Sequence, residues 1–161
     1  MRKQILDALS KNSRIPTKDL AAMLQTDEET VQEEIRQMEE ANVICGYPTL
    51  INWDQTDCER VTALIEVKVT PQRDMGFNRV AERIYRFDEV ESLYLMSGEF
   101  DLMVIIEGKS MNEVARFVSE KLSTLEYVTS TATYFALKKY KQQGMVMTNE
   151  HNEAERMLIT P

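Results

Sequence analysis

The chain is poor in the residues from which reactive and cross-linked sites are usually built. It has one histidine, His151, and two cysteines, Cys45 and Cys58, among 161 residues. Two cysteines cannot form a disulfide framework and one histidine cannot seed a histidine-rich metal site. A disulfide scaffold, a zinc finger and a histidine-dependent hydrolase are therefore disfavoured, and neither a metal nor a cofactor is expected. No apolar run approaches the length of a membrane span. The opening residues, MRKQILDALSKNSR, lack the apolar core and small-residue cleavage site of a secretory leader, so the expected compartment is the cytoplasm. Positive charge is also scarce: 19 Lys and Arg face 27 Asp and Glu, a net charge of −8. That argues against a generally adhesive basic surface but leaves a local basic face open. There is no internal repeat. The chain as a whole, 43% hydrophobic and 29% charged, has the profile of a soluble globular protein of one domain or two small ones.

The first fifty residues carry helical periodicity. Ile5, Leu6 and Leu9 share one face, and Asn12-Ser13 with the Ile15-Pro16 step ends that helix. Thr17 is a natural N-cap for a second helix with Leu20, Met23 and Leu24 facing inward. Gln25-Thr26 breaks it, and Thr26 with Glu29 has the spacing of a capping box. The third helix buries Val31, Ile35 and Met38 and stops at Asn42, which tolerates a left-handed backbone. Three short helices with a tight break before the last make a helix-turn-helix candidate. VICGYPTLIN, Val43 to Asn52, is rich in strand formers and reads as a wing or linker strand, with Pro48 at an edge.

The period then changes. The polar stretch 53–59 separates a unit over residues 1–52 from one over 60–141, with 142–161 as a tail. Trp53 is expected to pack the two domains together. From Arg60 to Val69, Val61, Ala63, Ile65, Val67 and Val69 alternate with Thr62, Glu66 and Lys68, the pattern of a half-buried strand stopped by Pro71. Phe77, Val80, Ala81 and Ile84 follow at helical spacing. Two strands, 89–98 and 101–108, are joined tightly enough to form a hairpin. Ser110 caps a helix bearing Val114, Phe117, Val118, Lys121 and Leu122, and VTSTATYFAL, 128–137, is a fourth strand. The order β-α-β-β-α-β gives a ferredoxin-like α+β domain with an antiparallel sheet. Two helices cover one face. The other stays partly apolar, which points to self-association.

Taken together, three stretches resemble the Lrp/AsnC, or feast/famine, family of transcriptional regulators. They are ILDALSKNSRIPTKDLAAML…TVQEEIRQMEEANVICGY, the SGEFDLMV hairpin from Ser97 to Val104, and VTSTATYFAL. The resemblance implies a protein that binds double-stranded DNA through its first domain. Its second domain would assemble dimers, and octamers from dimers, and bind a small effector, usually an amino acid. Carried over, the effector site comprises Gly98, Glu99, Phe100 and Asp101 with Thr131 and Thr133. The chemistry suits an amino acid: a carboxylate receives its ammonium, and turn amides and hydroxyls hold its carboxylate. The same residues also serve as plain structure. Gly98 then only shapes the turn, Asp101 bonds turn amides, and the threonines are good strand formers.

The third helix departs from the family. Glu33 and Glu34 stand where arginine or lysine is usual, Asp27, Glu28 and Glu29 fill the first turn, and Glu39 and Glu40 close it. First-turn acid complements the helix dipole, but Glu33 and Glu40 fall on the exposed face, where a carboxylate opposes phosphate. DNA contact then falls to Arg2, Lys3, Lys11, Arg14, Lys18 and Arg36, with the hydroxyls of Thr26 and Thr30, helped by multivalency in an oligomer. A carboxylate also has the option of reading cytosine N4. The alternative is a binding module of this fold that has lost DNA and meets a protein. A decarboxylase, as in the sirohaem branch of this architecture, is a weaker alternative. Tyr127 replaces a glycine frequent in the family before the last strand.

Overall fold

The computed structural model describes residues 1–70 and 76–148. Pro71, His151 and the closing MLITP lie outside them. The chain divides into two compact units, Met1–Leu50 and Ile51–Pro161.

The first unit holds α1 (Arg2–Lys11), α2 (Thr17–Leu24) and α3 (Glu28–Glu40). Ile5, Leu20, Ala21, Val31 and Met38 are buried at its centre, with Leu9, Leu24, Ile35 and Ile44 packed around them. Two helix starts differ from the sequence reading. Pro16, not Thr17, is the N-cap of α2: its ψ of 141 is extended, so Thr17 is the first helical residue. Asp27, not Thr26, caps α3. The backbone decides this: Gln25 is left-handed at φ 55, and the Thr26 N–H returns to the Ala21 carbonyl at 3.1 Å. Thr26 is thereby spent closing α2 in a Schellman-type end. Asp27 then accepts from the Thr30 N–H and hydroxyl, both at 2.7 Å, and these bonds hold its carboxyl below the usual range.

No strand forms over Val43–Asn52, so among the described residues the first unit has three helices and no wing. The N–H groups of Val43 and Ile44 both return to the Met38 carbonyl, at 2.8 and 3.1 Å, to close α3. Asn42 takes φ 53 there. Strand propensity expresses fit to a pleated, half-buried surface, and the first unit offers this segment no strand to pair with. Tyr47 instead donates its hydroxyl to Glu39 at 2.7 Å; burial, then this carboxylate, pushes the phenol up to about 12.

The second unit is a four-stranded antiparallel sheet flanked by helices. Its elements are β1 (Val61–Val69), α4 (Asn78–Tyr85), β2 (Val90–Leu95), β3 (Leu102–Gly108), α5 (Met111–Phe117) and β4 (Val128–Phe135). The sheet order is β2-β3-β1-β4. Alternation in β1 sends Ala63, Ile65, Val67 and Val69 into a core shared with Val80, Ile84, Leu102, Val104, Ile106, Val114, Phe117 and Leu122. After α5 the helix widens to a π turn over Val118–Leu122, where the Ser123 N–H bonds the Val118 carbonyl at 2.8 Å. The wider turn brings Phe117 and Leu122, five apart, to the same buried face. Ile65, fully buried on the central strand, gives the largest packing prediction: Ile65→Ala costs about 2–5 kcal/mol by denaturant unfolding.

Part of the expected tail folds into a hairpin. Lys141–Gln142 (β5) pairs with Met145–Val146 (β6) around Gln143 and Gly144, both at positive φ, 47 and 82, as a two-residue primed turn requires. Met147 is buried, and its carbonyl accepts from Asn52.

Candidate DNA-reading helix and effector hairpin

In the first unit nine carboxylates oppose six cations, and α3 holds most of the acid. Its outward face runs through Glu29, Gln32, Glu33, Arg36 and Glu40, all exposed because Val31, Ile35 and Met38 fill the inward stripe. Arg36 donates Nε and Nη2 to the two Glu33 oxygens at 2.9 and 2.6 Å, and Nη1 pairs with Glu40. Gln37 adds a bond to Glu33 at 2.8 Å. Hydrogen bonding from Arg36, then Gln37, holds the Glu33 carboxyl down at about 2. The neighbouring positions of the same helix are similar: Arg2 pairs with Glu34 and donates to Gln37 at 2.6 Å. Arg2 and Arg36 are therefore neutralised by α3 itself. Among the described residues the side chains of Lys3, Lys11, Arg14 and Lys18 are exposed and make no ion pair. Thr30 spends its hydroxyl on the Asp27 cap, and Thr26 also hydrogen-bonds that carboxylate. All eight residues expected at DNA lie in the first unit, but four are occupied by contacts within it.

In the second unit the β2–β3 hairpin brings Gly98, Glu99, Phe100 and Asp101 together. The Met96 N–H bonds the Asp101 carbonyl at 2.8 Å. Asp101 is half-buried and ties the hairpin to β1: its N–H donates to the Val67 carbonyl at 3.1 Å, and its Oδ2 accepts from the Val69 N–H at 2.8 Å. Its second oxygen has no partner among the described residues. A Cβ added at Gly98 would meet nothing within 4 Å, so that side of the turn is open space. Thr131 and Thr133 sit opposite Val67 and Ile65 and share their helix-covered face. Val67 thus stands between Asp101 and Thr131, about two strand spacings, or 10 Å, apart. Tyr127 takes φ 76, the conformation a glycine would adopt freely; for tyrosine it costs about 1–2 kcal/mol. On the opposite sheet face Leu64, Met103 and Ile105 are half-buried and Tyr94 and Tyr134 exposed. Tyr134 reaches toward Glu66 at 3.4 Å, and Glu66, with a smaller effect from Glu99, pushes its phenol up.

One cluster escaped the sequence reading. Glu107 accepts from Lys139 at 2.9 Å, Thr62 at 3.2 Å and Arg60 at 3.3 Å. The Arg60 guanidinium also lies 4.1 Å from the Trp53 ring centre, so Trp53 has a partner within its own unit. Burial pushes the Glu107 carboxyl up, but the three donors outweigh it and the net displacement is downward. Glu89 is lowered by its bond from Lys121. Depressed carboxyls stabilise the fold above the ordinary glutamate value, about 4.3, and lose that contribution as pH falls below it. Thermal melts across pH therefore show Tm declining below about pH 4.3, and Glu107→Gln makes that decline shallower. Cys45 and Cys58 are free and exposed. Among the described residues no three His, Cys, Asp or Glu side chains gather as metal ligands, and no helix is long and apolar enough to cross a membrane.

Comparison with known proteins accounts for both units. The AsnC-type helix-turn-helix domain matches residues 3–39, and the Lrp/AsnC ligand binding domain matches residues 62–146. The HTH-type transcriptional regulator YugG of Bacillus subtilis (strain 168) is 50% identical over 159 residues, 98% of this chain and 95% of its own. Two solved structures share the fold. A transcriptional regulator of Neisseria meningitidis in complex with L-methionine superposes with TM-score 0.69 at 22% identity, covering 94% of this chain and 96% of its own. The feast or famine regulatory protein of Mycobacterium tuberculosis, also with L-methionine, gives 0.71 at 20% identity, covering 91% and 96%. A helix-turn-helix unit followed by this ligand-binding sheet, matched over nearly the whole chain, is the make-up of a transcription regulator rather than an enzyme, and the chain belongs to the Lrp/AsnC family of transcriptional regulators.

Proposed function

We propose that this regulator binds DNA in a manner set by a zwitterionic amino acid held at the Gly98–Asp101 hairpin. The observation that carries the reading is the Asp101 carboxylate, with one oxygen spent on Val69 and the other without a partner among the described residues. A half-buried carboxylate with a spare acceptor suits an ammonium group. Thr131 and Thr133, on the far side of Val67, suit the polar remainder of the ligand. The two solved relatives that hold L-methionine support the ligand class. Self-association follows from the half-apolar open face, which one copy offers another. Dimers through that face, and octamers built from those dimers, place two or more reading helices on one duplex.

DNA contact in this reading rests on Lys3, Lys11, Arg14 and Lys18, with Arg2 and Arg36 joining once released from their carboxylates. Exposed ion pairs are worth little, so phosphate competes for the arginines. The carboxylates remain, however, and oppose phosphate. Binding by an isolated dimer is accordingly weak and falls steeply as salt rises. The saturation of α3 by its own acid also favours a second reading, a module of this fold whose third helix meets a basic protein instead of DNA.

A thermal-shift screen of the twenty standard amino acids tests the effector reading. A ligand at a hundred times its Kd adds about 2.7 kcal/mol, or roughly 5–10 °C in Tm for a chain of this length. A flat screen with the oligomer intact contradicts amino-acid sensing.

A further inference from the structure

Two irregularities of the backbone bracket one short connection. The π turn Val118–Leu122 ends α5. Five residues later Tyr127 is left-handed at φ 76, the one aromatic among the four non-glycine residues at positive φ in the described chain. Gln25, Asn42 and Gln143 occupy helix ends and a hairpin turn, where such a backbone is ordinary. A bulky residue held there is an outlier, and outliers of this kind gather at ligand sites.

The connection lies against the proposed effector residues. The π turn presents Ser123 to β4, with its hydroxyl 3.4 Å from that of Thr131. Thr124 and Thr129 spend their hydroxyls on backbone carbonyls, of Glu120 and Lys121 and of Lys68. Among the described residues the hydroxyls of Ser123 and Thr131 hydrogen-bond only each other, which leaves one O–H and several lone pairs for a ligand. Tyr127 is tied to the same place through its carbonyl, which accepts the Thr70 N–H at 2.9 Å, while the neighbouring Val69 N–H goes to Asp101. Asp101 and Tyr127 therefore flank the end of β1, about 10 Å apart across two strand spacings. A hydrogen bond at Asp101, a chain of four or five bonded atoms and a van der Waals contact with the Tyr127 ring together cover that span, the length of a medium-sized amino acid. The Tyr127 ring is half-buried against the core, and its hydroxyl bonds nothing among the described residues.

Resting on the effector reading above, we propose that Ser123 and Tyr127 are further effector-binding residues. Ser123 supplies a hydroxyl beside Thr131. The Tyr127 ring closes the far end of the site and sets the length of side chain admitted.

Isothermal titration of the full chain with each of the twenty standard L-amino acids tests this, on wild type, Ser123→Ala, Tyr127→Gly, Tyr127→Phe and Asp101→Asn. Tyr127→Gly keeps the left-handed backbone without strain, so it folds, and melting in the absence of ligand checks this. Ser123→Ala weakens the best wild-type ligand about five- to tenfold, the loss of one neutral hydrogen bond. Tyr127→Gly reorders the series toward longer side chains by a similar factor, and Tyr127→Phe keeps the wild-type order. A purely structural role would move Tm and leave that order alone. Unchanged affinities in Ser123→Ala, or the wild-type order in Tyr127→Gly, overturn the role of that residue. If Asp101→Asn loses binding while both variants bind as wild type, the inference falls and the effector reading stands. If wild type binds none of the twenty, both fall.

Discussion

Glu33→Gln with Glu40→Gln strengthens DNA binding on the order of tenfold or more at low salt, with a steeper dependence on salt. Arg36 is held on three sides of its guanidinium by these two carboxylates. Their neutralisation frees a cation and removes two negative charges per protomer from the exposed face of α3. Each cation that reaches a phosphate releases a counterion and adds to the salt slope. Glu33 is the stronger obstacle, because it takes two of the three guanidinium nitrogens and Glu40 only one. Glu34 is a poorer target, because it is half-buried beside Arg2 and an arginine there would meet a like charge. Glu91→Gln with Glu120→Gln, exposed positions of the second unit, makes the same change in net charge and serves as control. Equal gains in both pairs would mean that only overall charge matters. No gain in either would favour the reading in which α3 meets a protein.

Asp101 gives the second large effect, and two substitutions divide its roles. Asp101→Ala leaves the half-buried Val69 N–H without its acceptor, which costs about 1–3 kcal/mol, or roughly 2–12 °C in Tm. It also abolishes the thermal response to an amino acid. Asp101→Asn keeps an oxygen for Val69 but removes the charge that an ammonium seeks. It therefore melts near wild type yet binds the amino acid at least about tenfold more weakly, since a charge-assisted bond becomes a neutral one. Asparagine binding as well as aspartate would show that Asp101 is only a turn former.

Much of this fold was legible because periodicity reports burial. The alternation of Val61 to Val69 and the stripe of Val31, Ile35 and Met38 are read directly from spacing, and each lands in a core. Errors arose where two neighbours had the same chemical capacity. Thr26 and Asp27 can both cap a helix, and only the use of the Thr26 N–H to close α2 decides between them. Residues 43–52 have strand composition without a strand beside them, which composition cannot reveal. The C-terminal hairpin was hidden because its turn is Gln143-Gly144 rather than the familiar Asn-Gly or Asp-Gly. The Gly98–Asp101 hairpin was found from its spacing and from family likeness. The Glu107 cluster was not, since its donors lie 32 to 47 residues away in the chain. The caging of Arg36 was half visible: the acid was plain, but its geometry was not.

The account stands on DNA binding that a small metabolite controls, and one measurement addresses both parts. The purified full-length chain is mixed with sheared genomic DNA, with and without the amino acid that raises its Tm, and the bound fragments are sequenced. A limited set of fragments is expected, enriched at low salt, whose occupancy or spacing of bound sites changes when the amino acid is added. Recovery no different from bulk DNA, or a set of fragments indifferent to the amino acid, would contradict the account.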